Sequence, residues 1–127
     1  MKKIIFLLVV IASCFGCKKD NSYNFSSSLI GKWSWFISCG GFVGCVTPAV
    51  EHVTINLVFT ADSVYNYYTN DTLRTSYKFS VYKLVTTDGK DTTNIIKYGL
   101  NSESFSITHD TLSMGNAMVS SAYKRIK

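Results

Sequence analysis

Cysteine is the residue type whose spacing bears most directly on chemistry in this 127-residue chain. Cys39 and Cys45 bound the segment Cys-Gly-Gly-Phe-Val-Gly-Cys, while Cys14 and Cys17 follow an apolar N-terminal run. A zinc knuckle needs C-x₂-C or C-x₄-C spacing and a second ligand pair. Five residues separate Cys39 from Cys45, and no histidine or further cysteine stands beside them. A disulfide is the expected chemistry, worth about 2 kcal/mol from the entropy of so short a loop. Gly40, Gly41 and Gly44 let that loop turn tightly and leave Phe42 and Val43 at its tip as apolar contacts.

The two histidines, His52 and His109, lie outside any H-E-x-x-H pattern, and His109-Asp110 reads as a strand end and a turn. The chain has no G-x-S-x-G, no glycine-rich phosphate loop and no cysteine beside a histidine. No catalytic residue, metal ligand or cofactor is therefore assigned, and a non-enzymatic protein is expected. Aromatic residues are the remaining candidates. Tyr65, Tyr67, Tyr68, Tyr77, Phe79 and Tyr82 crowd the middle of the chain. Of these, Tyr65, Tyr77 and Phe79 are the candidate ligand pocket, where ring faces stack and hydroxyls hydrogen-bond. The competing reading is ordinary cross-strand packing, which strands favour in any case.

The elements that must position these residues are strands. Residues 52–60 alternate, with Val53, Ile55, Leu57 and Phe59 set against His52, Thr54, Asn56 and Thr60. Residues 60–63 form a turn, 64–69 a strand, 70–71 a tight turn and 73–84 a third strand, which together make a meander. Beyond the turn cluster 86–91, short strands are expected at 94–98, 99–103, 104–109, 111–114 and 118–126. One more stands at the front, over 32–38. About eight short strands at this spacing predict an all-β, antiparallel up-and-down barrel, with a β-sandwich as the alternative. Composition agrees: 8 Tyr, 8 Phe and 2 Trp accompany a single Pro. The formal charge of +5 includes Lys2 and Lys3, and the other basic residues are scattered among acidic ones, so no nucleic-acid surface is expected.

The N-terminus carries an address. Met1-Lys2-Lys3 precedes an apolar run from Ile4 to Ala12, too short to span a hydrocarbon core of roughly 30 Å as a helix. With the cysteines that follow, it resembles the lipobox of bacterial lipoproteins, in which the thiol receives a diacylglycerol and the freed amine an acyl chain. Ile11-Ala12-Ser13 before Cys14 matches the lipobox pattern better. Processing at Cys17 instead leaves Cys39 and Cys45 as an even pair, and Cys17-Lys18-Lys19-Asp20 resembles the charged surface-display signal of many Bacteroidetes lipoproteins. Cys17 is the expected lipid site and Cys14 the alternative. The expected organisation is a signal peptide over 1–16, a lipidated cysteine and serine-rich tether over 17–28, and a barrel over 29–127. The lipid would hold the protein on the outer membrane, at the cell surface or facing the periplasm.

Gly31-Lys32-Trp33, then Ile55-Asn56-Leu57-Val58-Phe59-Thr60-Ala61-Asp62, Asp110-Thr111-Leu112 and the terminal Tyr123-Lys124-Arg125-Ile126-Lys127 come in an order that resembles the small lipocalin-like lipoproteins of Bacteroidetes. The resemblance covers most of the chain. It implies that Trp33 plugs the closed end of a barrel, that Arg125 packs over it, and that the barrel binds a small apolar or amphiphilic ligand. The alternative function is a structural or protein-interaction module of an envelope complex. A cavity among Tyr65, Tyr77 and Phe79 is the mark of the first, and a filled interior with Phe42 and Val43 exposed is the mark of the second.

Overall fold

Alternation sets the architecture. Ile55, Leu57 and Phe59 face inward from one strand, and every neighbouring strand continues that inner face. The computed structural model describes residues 25–42 and 44–127. Its elements are α1 (Phe25–Leu29), β1 (Gly31–Gly40), β2 (Gly44–Val46), α2 (Pro48–Glu51), β3 (Ile55–Phe59), β4 (Val64–Thr69), β5 (Thr72–Val85), β6 (Thr92–Tyr98), β7 (Asn101–Thr108), β8 (Thr111–Gly115) and β9 (Val119–Ile126). From β3 to β9 each strand pairs antiparallel with the next, and β1 pairs with β3 on one edge and with β9 on the other. The result is the expected up-and-down barrel, closed by eight strands, with β2 added to the far end of β1.

Short turns make the meander possible. Asn70 and Asp71, at φ 46° and 60°, both take the left-handed conformation that a two-residue hairpin requires. The turns at 60–63 and 86–91 share a Thr-x-Asp device. Thr60 donates its hydroxyl to Asp62 Oδ1 at 2.5 Å, and Thr86 does the same to Asp88 at 2.5 Å. Each donation holds the acceptor carboxyl below the usual carboxylate range. Strand directions place these two turns, the 109–110 turn and the entry of the chain at one end of the barrel. The β1–β2 hairpin and the turns at 70–71, 99–100 and 116–118 lie at the other.

Two features differ from the expected strand pattern. The segments 99–103 and 104–109 form no pair of separate strands. Gly99 and Leu100 are a turn, Asn101 pairs back on Tyr98, and β7 runs unbroken through Glu103 and Ser104. The glycine-rich segment after β1 is a hairpin in which Cys39 sits opposite Cys45. Gly40 belongs there for steric reasons. A Cβ on it would fall 2.1 Å from the Met118 carbonyl oxygen, and one on Gly115 would fall 2.1 Å from that of Val119. Only glycine lets the strands approach this closely around the β8–β9 turn. Two short helices also appear, and α1 takes in the last four residues of the segment read as tether.

The core is concentrated at the chain-entry end. Leu29, Trp33, Leu57, Phe59, Ile96 and Leu112 are fully buried, and the Phe59 and Phe79 rings meet edge to face at 5.3 Å. Removing the side chain of one of these aliphatic residues would cost about 2–5 kcal/mol.

Candidate functional site

The closed end is built around an indole. Trp33 donates its Nε1–H to the Leu29 carbonyl at 2.8 Å, and Arg125 lies over its ring with Cζ 4.0 Å from the centroid. Arg125 also donates to the carbonyls of Ser28 (2.5 Å) and Ile30 (2.9 Å). Helix C-termini leave carbonyls without intrahelical partners, so these two side chains satisfy the end of α1 while sealing the barrel. The stacking follows directly from register, because Trp33 pairs with Arg125 across the β1–β9 seam. Its role is structural.

The opposite end is hollow. A cavity of about 270 Å³ is lined by Tyr65, Tyr67, Tyr98 and Tyr123, by Glu103 and Ser121, and by Leu57 and Met114. It extends to Gly115, Asn116 and Val119, next to the β8–β9 turn. Strand pairing accounts for the cluster. Tyr65 and Tyr67 are alternate residues of β4, Leu57 pairs with Tyr67, Glu103 pairs with Ile96, and Tyr98 stands diagonally across from Glu103. The Tyr98 hydroxyl donates to Glu103 Oε1, and the Tyr65 and Tyr98 rings lie 4.5 Å apart.

Three of the phenols, Tyr65, Tyr98 and Tyr123, are held neutral. Burial pushes the Tyr123 hydroxyl up to about 12, with the Glu103 charge adding to the effect. Tyr65 is raised further, first by burial and then by the negative charge that Tyr123 and Glu103 bring near it. Tyr98 is raised by burial and by its hydrogen bond to Glu103. At neutral pH the cavity therefore presents neutral rings and hydroxyls, which donate and accept hydrogen bonds.

Of the three residues read as a pocket, only Tyr65 lines this cavity. Phe79 is packed into the core against Phe59. Tyr77 pairs with Tyr65 and faces the same way, but β6 turns off at Gly99, so Tyr77 is left at the rim, 41 % exposed, with its ring against Gly99. Among the described residues the cavity at this end takes Tyr65 but neither Tyr77 nor Phe79 into its lining. Tyr67, one of the aromatic candidates in the middle of the chain, lines it, and so do Tyr98, Glu103 and Tyr123, which are not among those candidates. Their signal was the inward phase they share with Phe105 and Ile107 on β7 and with Leu112 on β8.

Cys39 and Cys45 are joined as a disulfide in the hairpin beside the cavity, where Gly40 pairs with Val119. Phe42 at the hairpin tip and Leu100 in a turn at the same end are fully exposed, and Met118 in a neighbouring turn is largely so. Val43, Cys14 and Cys17 lie outside the described residues. His52 follows α2 and His109 lies in the β7–β8 turn, at opposite ends of the barrel. Among the described residues no group of three or more His, Cys, Asp or Glu side chains could hold a metal ion. A second hollow of about 340 Å³, among Thr92, Asn94, Ser104, Ser113, Asn116 and Ser120, has no charged residue in its lining. No family model, curated protein or solved structure matches this chain.

Proposed function

We propose that this is a lipid-anchored, non-enzymatic envelope protein of the outer membrane whose barrel holds one small ligand. The observation that carries the reading is the contrast between the two ends: a barrel whose fully buried side chains gather around Trp33 keeps a cavity of about 270 Å³ at the other. That volume is near the lower edge of ordinary small-molecule sites. Ring faces and hydroxyls around it suit an amphiphile better than a purely apolar one. Anchoring rests on the cysteine-terminated signal, with the lipid on Cys17 and residues after it as the tether.

The exposed Phe42, Leu100 and Met118 favour a second reading, a docking module for a protein of the same envelope. Native mass spectrometry of the protein recovered gently from its own membrane separates the two. A retained small molecule is the expected result. A retained protein with an empty barrel would replace the first reading by the second. In the same preparation, Cys17→Ser releases the protein from the membrane. Release by Cys14→Ser alone would move the lipid to Cys14.

A further inference from the structure

We propose that the cavity is a cage for an ammonium group, and that its ligand is a small amine with one apolar arm. The inference rests on the reading of the barrel as a ligand binder and names the chemical class that it selects. Glu103 is the single charged residue in the lining, and no Lys, Arg or His shares it. Around that carboxylate stand the rings of Tyr65, Tyr67, Tyr98 and Tyr123. Ring faces attract cations, and Glu103, partly buried in the wall, meets no cationic side chain within the lining. A ligand ammonium supplies the missing partner and meets the ring faces at once.

The hydrogen bond from Tyr98 fixes the carboxylate and leaves it capacity to accept more, since its two oxygens offer about four lone-pair sites. An alcohol of the same shape would leave the charge unpaired, and a carboxylic acid would set like charges side by side. Glu103 is the one acidic residue of the lining, and the raised phenols of Tyr65, Tyr98 and Tyr123 add no second anion to compete for the cation. Size bounds the class. About 270 Å³ is the liquid volume of about nine waters at roughly 30 Å³ each, which suits an amine bearing one ring or a short chain.

The test uses the full chain in a nonionic detergent and three probes of matched shape: 2-phenylethylamine, 2-phenylethanol and phenylacetic acid. Binding is followed by calorimetry. The amine is expected to bind at least about tenfold more tightly than the alcohol, and the acid most weakly. In Glu103→Gln, which keeps an acceptor for Tyr98, the preference for the amine over the alcohol falls to about onefold. If the alcohol matches the amine in the unaltered chain, or the acid exceeds it, the ammonium cage is overturned while the binding cavity stands. If none of the probes binds at millimolar concentration, the cage and the binding cavity fall together. The ranking on the unaltered chain decides the matter even if the variant does not fold.

Discussion

At one end of the barrel an indole gives its N–H to a helix carbonyl and its face to a guanidinium. At the other, four phenols surround a carboxylate that no cation meets within the lining. Both ends use aromatic residues projecting inward from neighbouring strands. They differ in what completes them. The Trp33 end is completed from within the chain, since Arg125 covers the indole and reaches the carbonyls of Ser28 and Ile30. The Glu103 end keeps a cavity, with no cationic side chain in its lining. A cation that belongs to the chain closes one end, and the proposed ammonium cage asks another molecule to bring the cation at the other.

The comparison can be broken most directly at the plug. Trp33→Ala should lose about 3–5 kcal/mol of stability, read from the guanidinium midpoint at unchanged slope. A loss under about 1 kcal/mol would mean that the packed end does not carry the fold. The next largest effect belongs to the hollow end and depends on pH. Tyr123 has a folded-state pKa of about 12 against about 10 when unfolded, so its contribution is complete below pH 10 and declines as pH rises toward 12. That fall is on the order of 2–3 kcal/mol for this one phenol. Tyr123→Phe should flatten the alkaline limb of a stability profile measured by urea unfolding, and an unchanged limb would contradict the burial assigned to it.

The smallest effect is at the hairpin. Replacing both Cys39 and Cys45 by Ser should cost about 2 kcal/mol, through loop entropy, and leave probe binding within about twofold. A larger loss of binding would make the bridged hairpin part of the receptor rather than a support beside it.

Much of the fold was legible because its signals are local. The alternation over 52–60, the Asn70-Asp71 turn and the spacing of Cys39 and Cys45 act within a few residues and reappear as β3, a left-handed hairpin turn and a bridged pair. The stacking of Arg125 on Trp33 matches the placement that the resemblance implied for these two residues. The cavity was not legible. Its lining is drawn from β3, β4 and β6 through β9, and which tyrosines converge depends on the stagger between strands rather than on any one segment. Dividing 99–109 into two strands also broke the phase at the point that mattered, since Glu103 faces inward only on a continuous β7. Tyr77 shows the reverse error. Its inward phase was right, but the strand that would have covered it ends at Tyr98.

The seam between β1 and β9 has a consequence for the order in which the chain can fold. Seven strands, β3 to β9, form a run in which each meets its successor, and hairpins of that kind assemble from neighbours along the chain. The hydrogen bond joining Ser38 to Ser121 spans 83 residues, and that from Arg125 to Ser28 spans 97. Loop-closure entropy must be met before these contacts form. Until then the sheet has two unpaired edges, and its inner face is uncovered at both ends. The clasp is therefore the step on which folding and aggregation compete, so the residues that shut the barrel also limit how long it stays open to other chains.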